Sequence, residues 1–262
     1  MDLSDGARTL WQRRDLVLAL ATSEFKGRYR RLGLGVLWAV LNPLVQGLLI
    51  AVVLHHLARF SLGFPYALFV LAGIMPWNFF VSALTSGTTS ILDSADIVQR
   101  VAVPRAAVPT ASLLTNLFNF GFVLATLVAI CAAFAPGRMS QVWLLPVCVA
   151  LQVGLTYGLV LLISPLHVRY RDLGQLVSAA TLAWFWATPV IYPISILHGV
   201  PALEALVRAN PMTGVTSLYR TAVLHLPVDR WALAASIAWT AATLVAGWIV
   251  FARREATVAD FI

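Results

Sequence analysis

Apolar and charged residues are segregated along this chain into long blocks. Six stretches, residues 34–57, 66–90, 106–134, 142–165, 173–194 and 231–251, contain no Asp, Glu, Lys or Arg. All 18 basic and 11 acidic residues lie between or outside them. A bilayer core about 30 Å thick is crossed by about 20 helical residues rising about 1.5 Å each. Every stretch reaches that length. Backbone groups at that depth find no water, so only helices or closed barrels cross it. Barrel strands would read as alternating segments of about 10 residues, whereas 122–134 is one continuous apolar run. The pattern predicts an all-α integral membrane protein with six transmembrane helices. It divides into a basic lead, residues 1–32, and a transmembrane domain, residues 33–262.

Within the lead, residues 7–25 read as an amphipathic helix lying at the membrane surface, with Leu10, Val17, Ala21 and Phe25 on one side. Arg13 and Arg14 interrupt that face, so a solvated anchor that only sets topology is the competing reading. Prolines punctuate the spans at Asn42-Pro43, Met75-Pro76, Thr188-Pro189 and Tyr192-Pro193. Each removes a helix hydrogen bond and kinks or ends the helix. Residues 91–105 are long enough for a short helix, with Asp93 placed to cap its start. Residues 195–230 read as two short apolar pieces, 201–209 and 213–224, on either side of an Asn210-Pro211 break. Both are too short to span. They fit a re-entrant outer hairpin shielded by protein, or a pair of helices lying flat at the interface.

Composition strengthens the membrane reading, with 60% hydrophobic and 11% charged residues against about a quarter charged in soluble domains. The basic residues set the orientation. With the N-terminus inside, thirteen Lys and Arg fall on the cytoplasmic side and five on the outer side, Arg59, Arg138, Arg208, Arg220 and Arg230. Both termini are expected in the cytoplasm. The net charge of +7 is then a topology signal with a possible role toward lipid phosphate. No soluble basic domain exists to bind nucleic acid. The first 32 residues have no long apolar core, so no cleavable signal peptide is expected. Cys131 and Cys148 fall inside predicted spans and read as packing residues.

The chain is short of chemistry. Its single lysine, Lys26, follows Phe25, so there is no GxxxxGK[ST] phosphate loop, and no HExxH, CxxC or GxSxG motif appears. Asp93 and Asp96 form a DxxD on a cytoplasmic loop, where a helix cap and a surface turn are the ordinary explanation. His55 and His56 lack the further ligands a zinc site needs. Proton-coupled carriers place ionisable groups within the bilayer, and these spans hold no Asp, Glu, Arg or His at mid-depth. A transporter of this composition would draw its energy from another polypeptide. What the spans carry is amide, hydroxyl and aromatic groups: Trp38, Asn42 and Gln46; Trp77, Asn78, Phe79 and Phe80; Asn116 and Asn119; Trp184, Phe185 and Trp186. Such groups suit the hydroxyl rims and C–H faces of a sliding sugar polymer. They equally serve as glue between helices and as an interfacial aromatic belt.

Several strings carry a family resemblance. EFKGRYRR at 24–31 runs into LGVLW at 34–38 and LNP at 41–43; HVRYRDL lies at 167–173, WATPVIY at 186–192 and NPM at 210–212. Together, in this order, they resemble the ABC-2-type exporter permeases of the O-antigen, teichoic acid and capsular polysaccharide branch. The resemblance covers nearly the whole chain. It implies a half-transporter of the bacterial cytoplasmic membrane that pairs as a homodimer around a glycan channel. It also implies two copies of a separate ATP-binding-cassette ATPase, which would hold the ATP and magnesium; this chain would carry no cofactor, no metal and no catalytic residue. Contact with the ATPase would fall on the interface helix, including Trp11 and Arg14, and on the first inner loop, including Asp93, Asp96 and Arg100. The implied cargo is a glycan on undecaprenyl pyrophosphate.

That cargo gives the basic lead a task. Arg28, Arg30 and Arg31 precede the first span, and arginine pairs with phosphate in a bidentate way. They are candidates for capturing the lipid pyrophosphate, beside the reading in which they only set topology. Two rivals remain at this stage: the same architecture exporting a drug or small lipid, and a membrane enzyme acting on lipid-linked substrates.

Overall fold

The computed structural model describes residues 10–30, 33–58, 65–96 and 104–261, with side chains described outside 55–58 and 255–261. Residues 7–9, Arg31, Arg100 and the His55 and His56 side chains therefore lie outside the described residues. Among the described residues the secondary structure is helical throughout. In chain order the helices are α1 (Arg14–Tyr29), α2 (Leu37–Ala58), α3 (Tyr66–Asp93), α4 (Ala107–Phe134), α5 (Leu145–Arg169), α6 (Leu173–Ala187), α7 (Pro201–Ala209), α8 (Pro211–Leu224) and α9 (Arg230–Phe261). Five of them, α2, α3, α4, α5 and α9, are long and apolar enough to cross a membrane.

The fifth expected span, 173–194, is helical over less than its apolar stretch. Helix α6 stops at Ala187, and Thr188 is extended at φ −108°, ψ 136°. Pro189 is the physical reason, because a residue before proline is pushed out of the α region. The apolar run continues to 194, but Pro189 and Pro193 keep it non-helical. Asp93 also differs from expectation. It ends α3 instead of opening the following helix, and its Oδ2 accepts a hydrogen bond from Thr89 one turn earlier, at 2.6 Å.

Helix α3 is the centre of the bundle. It is apolar on nearly every side, which favours full burial, and α2, α4, α5, α6 and α8 pack around it. Helices α5 and α9 cross closely through small residues, as expected where no hydrophobic force drives helices together in lipid. Gly154 and Gly158 form a GxxxG face on α5. A Cβ on Gly158 would lie 2.6 Å from the Leu244 nitrogen, and Gly247 faces the Gly158 carbonyl. Gln152, fully buried on α5, ties the same pair of layers to α3 by donating to the Pro76 carbonyl at 2.6 Å.

The segment 195–230 folds as two helices meeting at Asn210. Asn210 is the N-cap of α8, with Pro211 at its first position, the arrangement favoured at helix starts. Its Oδ1 accepts from the Met212 nitrogen at 3.0 Å and from Trp184 Nε1 at 2.9 Å. Its Nδ2 donates to the Ala187 carbonyl at 3.1 Å and to Thr188 Oγ1 at 2.9 Å. One side chain thus closes α6 and opens α8. Every residue of α8 except Ser217 is buried.

Candidate functional site

Helix α1 lies along α4 because its Val17 and Ala21 pack on Ala107 and Ala111, whose small side chains let the helices approach closely. Phe25 and Leu10, also on the expected apolar side, are half-buried, whereas Arg13 and Arg14 are exposed. The Thr115 hydroxyl fixes the register by donating to the Ala21 carbonyl at 3.0 Å. This docking carries the C-terminal end of α1 to the polar face of α4.

There the side chains interlock. Arg28 Nη1 donates to Asn116 Oδ1 at 3.1 Å, and its Nη2 pairs with Glu24 Oε1 at 3.2 Å. Ser82 Oγ on α3 donates to the same Asn116 oxygen at 2.8 Å. Asn116 Nδ2 donates to Ser86 Oγ at 2.7 Å and to the Ser112 carbonyl at 2.8 Å. Asn116 therefore uses both donors and two acceptor positions, joining α1, α3 and α4. Next to it, Tyr29 donates its hydroxyl to Asn119 Oδ1 at 2.9 Å. Burial pushes the Tyr29 pKa above its ordinary value and the Arg28 charge opposes this, so the phenol is a neutral donor.

These residues wall a cavity of about 260 Å³ between the end of α1 and helices α2, α3 and α4. Trp38, Asn42 and Pro43 of α2, Asn78, Phe79 and Ser82 of α3, and Asn116, Asn119 and Phe120 of α4 line it with Arg28 and Tyr29. Gln46 stands behind Asn78, accepting from its Nδ2 at 2.9 Å. The chemistry is that of amides, hydroxyls and aromatic faces with one guanidinium at the edge. It can hydrogen-bond to an uncharged hydroxyl-rich ligand in several registers, and its arginine can meet an anion.

Seven of the twelve residues expected to line a channel are brought to this cavity: Trp38, Asn42, Asn78, Phe79, Asn116 and Asn119 directly, and Gln46 through Asn78. The other five lie in a separate aromatic cluster joining α3 to α6. Trp77 packs on Phe80 and on Phe185, with ring centroids 5.5 and 5.6 Å apart, and Phe80 meets Trp184 edge-on at 5.2 Å. Trp77 and Phe80 are buried inside this cluster, and Trp184 and Phe185 are half-buried. Trp186 is 63% exposed. Of the three candidate phosphate residues, Arg28 turns into the cavity wall and Arg30 is exposed. Of the residues assigned to ATPase contact, Trp11 is 70% exposed with Arg14 over its ring at 5.4 Å. Asp96 is exposed, and Asp93 borders a second cavity that Arg28 also lines.

One charged residue has a place that the sequence did not foretell. Arg220 on α8 is enclosed completely. Its guanidinium donates to the Pro189 and Val190 carbonyls at 2.7 and 2.6 Å and, more weakly, to the Phe69 carbonyl at 3.4 Å. It also lies 3.5 Å from the centre of the Phe69 ring. Gly73 leaves the room for this, since a Cβ there would sit 2.7 Å from Arg220 Nη2. The signal available in the sequence was a lone arginine in the apolar segment 213–224, with no acidic residue in that segment.

Comparison with known proteins agrees with this architecture. The family model for ABC-2 type transporters matches residues 15–224. The O-antigen export system permease protein RfbA of Myxococcus xanthus is 32% identical over 257 residues, covering 97% of this chain and 98% of that protein. The O-antigen export system permease protein RfbA of Klebsiella pneumoniae is 27% identical over 207 residues, 79% of each chain. The chain therefore belongs to the ABC-2 type transporter family, as a multi-pass membrane protein of an ABC transporter.

Proposed function

We propose that this chain is the permease subunit of an ATP-driven exporter that carries a polysaccharide across the bacterial cytoplasmic membrane. The cargo is a glycan of the O-antigen or teichoic acid type on undecaprenyl pyrophosphate. The names of the two RfbA relatives support the glycan. The observation that carries the reading is the cavity in which Arg28 and Tyr29 of α1 meet Trp38, Asn42, Asn78, Asn116 and Asn119. Its uncharged amides and aromatic faces bind sugar without holding any one ring tightly, as a moving polymer requires. A drug or small-lipid exporter needs an apolar cleft, and six amide or hydroxyl side chains make this lining a poor one.

Energy comes from a separate ATP-binding-cassette subunit, since the chain has no phosphate loop. That subunit, with its ATP and magnesium, docks on the exposed face of α1 near Trp11 and Arg14 and on the inner loop near Asp96. Two copies of the permease pair, making a complex of two permeases and two ATPases. In the membrane, α6 and the non-helical residues 188–193 together make the fifth of six crossings, and α7 and α8 form a re-entrant hairpin at the outer end. The near-complete burial of α8 supports that hairpin, because a short helix at depth must be shielded by protein. Both termini face the cytoplasm. Arg28 and Arg30, with Arg31, meet the pyrophosphate at the inner headgroup level.

The test is reconstitution in vesicles with an ATP-binding-cassette ATPase partner and a lipid-linked glycan. ATP-dependent passage of the glycan, lost when this chain is omitted, is the expected result. Passage of small hydrophobic drugs in its place would refute the glycan reading.

A further inference from the structure

The second cavity, about 420 Å³, opens between α1 and the ends of α3 and α4 nearest the 94–106 connection. It falls within the 300–1,000 Å³ range of small-molecule sites. Its polar lining is Ser23 and Glu24 of α1, Ser86, Ser90 and Asp93 of α3 with Ser94 beyond its end, and Ser112 of α4; Leu20, Val108 and Ala111 supply apolar surface that suits the C–H face of a sugar ring. Residues 86, 90 and 93 share one face of α3, spaced a turn apart. Arg28 belongs to the walls of both cavities, so the two adjoin at its guanidinium.

The balance of charge and hydrogen-bonding capacity identifies the ligand class. Arg28 is already paired with Glu24. Asp93 adds a second carboxylate, leaving the lining net negative. A phosphate entering here would be repelled. Among the described residues the Asp93 carboxylate accepts one hydrogen bond, from Thr89, and has capacity for more. Among the described residues the Ser23 and Ser94 hydroxyls make no hydrogen bond within the protein. Unspent carboxylate acceptors beside unspent hydroxyls complement a ligand rich in hydroxyl groups and free of negative charge.

We propose that this cavity is a sugar subsite, in which Asp93 accepts hydrogen bonds from ring hydroxyls while Ser23 and Ser94 bind their neighbours. The ligand is an uncharged pyranose ring. The inference rests on the glycan reading above and assigns it a first station, reached before the amide-lined cavity. It also gives Asp93 a task on the substrate, separate from the ATPase contact to which its loop position points.

Thiol protection tests it on the full chain in lipid nanodiscs. The two native cysteines, Cys131 and Cys148, are buried and give a low background. Single cysteines are placed at Leu20→Cys and Val108→Cys, cavity-lining positions that give the sugar no hydrogen bond, and at exposed Gln175→Cys as a control. Maltose and chitobiose are the neutral probes and inorganic pyrophosphate is the anionic one. A saccharide at twice its Kd should slow maleimide labelling about threefold, as 1 + [L]/Kd, at both cavity positions and not at Gln175→Cys. Adding Asp93→Ala should abolish the protection. Protection by pyrophosphate alone, or by no probe, overturns the subsite. ATP-driven glycan export is measured on the same preparations with the ATPase added. Export without protection removes only the subsite; absence of export removes the glycan reading as well.

Discussion

Replacing Arg220 with methionine tests whether the buried guanidinium pins α8 to the non-helical residues 188–193. Two effects oppose each other. The substitution relieves the burial of a cation, which costs several kcal/mol. It also strands the Pro189 and Val190 carbonyls, which lie in a non-helical segment with no other donor at hand; each buried orphan costs about 1–3 kcal/mol. The contact with the Phe69 ring, 3.5 Å from its centre, adds about 2 kcal/mol when desolvated. Hydrogen bonds of 2.6 and 2.7 Å are short enough that the lost interactions outweigh the relief, leaving a net loss of about 3 kcal/mol. Methionine fills similar space, so little cavity energy enters. With about 2–4 °C per kcal/mol for a chain of this size, the melting midpoint should fall by about 6–12 °C. Arg220→Lys should fall between, since one ammonium does not reproduce the planar fork. Unfolding is read in detergent with a thiol-reactive dye, because Cys131 and Cys148 are the only cysteines and both are buried. A methionine variant melting at or above the wild type would show that desolvation dominates, and the pin would be refuted.

Asn116→Ala should loosen the end of α1, since one of its four hydrogen bonds is the one from Arg28, a charged bond of about 1.5–3 kcal/mol, raising amide exchange in residues 14–29 about tenfold or more; unchanged exchange there would contradict the docking. Gly158→Leu should drive α5 from α9, because a Cβ alone would sit 2.6 Å from the Leu244 nitrogen; overpacking of this kind costs about 1–3 kcal/mol, and normal melting would argue against the close crossing. Replacing Arg28, Arg30 and Arg31 together with glutamine should leave insertion and ATPase assembly intact while cutting export about tenfold or more, given about 1.5–3 kcal/mol for each charged hydrogen bond. Undiminished export would leave these arginines with topology alone.

The five long helices were legible because each is a charge-free run longer than a bilayer core. The short pair was legible too, since Asn210-Pro211 is a cap followed by a helix-starting proline. The break at the end of α6 was legible as well, because Pro189 restricts Thr188, although the apolar run itself continues past it. Asn116 and Asn119 were recognisable as unusual polar residues in a span. Their partners on α1 were not, because sequence gives no distance between residues about 90 positions apart. The aromatic set divided for a similar reason. Hydrophobicity does not tell a tryptophan packed against a neighbouring helix, as Trp77 is, from one at a cavity wall, as Trp38 is. Arg220 was hidden because its partners are backbone carbonyls, which leave no mark in the side-chain pattern. The GxxxG face at Gly154 and Gly158 was visible and unread; only the approach of α9 gives it meaning.

The most direct test of the account is photo-crosslinking during export. A photoreactive side chain is placed at Asn42 or Asn78 in the amide-lined cavity, and at Val245, an exposed residue of α9 outside it. Export of a radiolabelled lipid-linked glycan is stalled with a non-hydrolysable ATP analogue and the sample is illuminated. The account predicts glycan attached at positions 42 and 78 and none at 245. Glycan attached at 245, with positions 42 and 78 unmarked in variants that export normally before the stall, would contradict it.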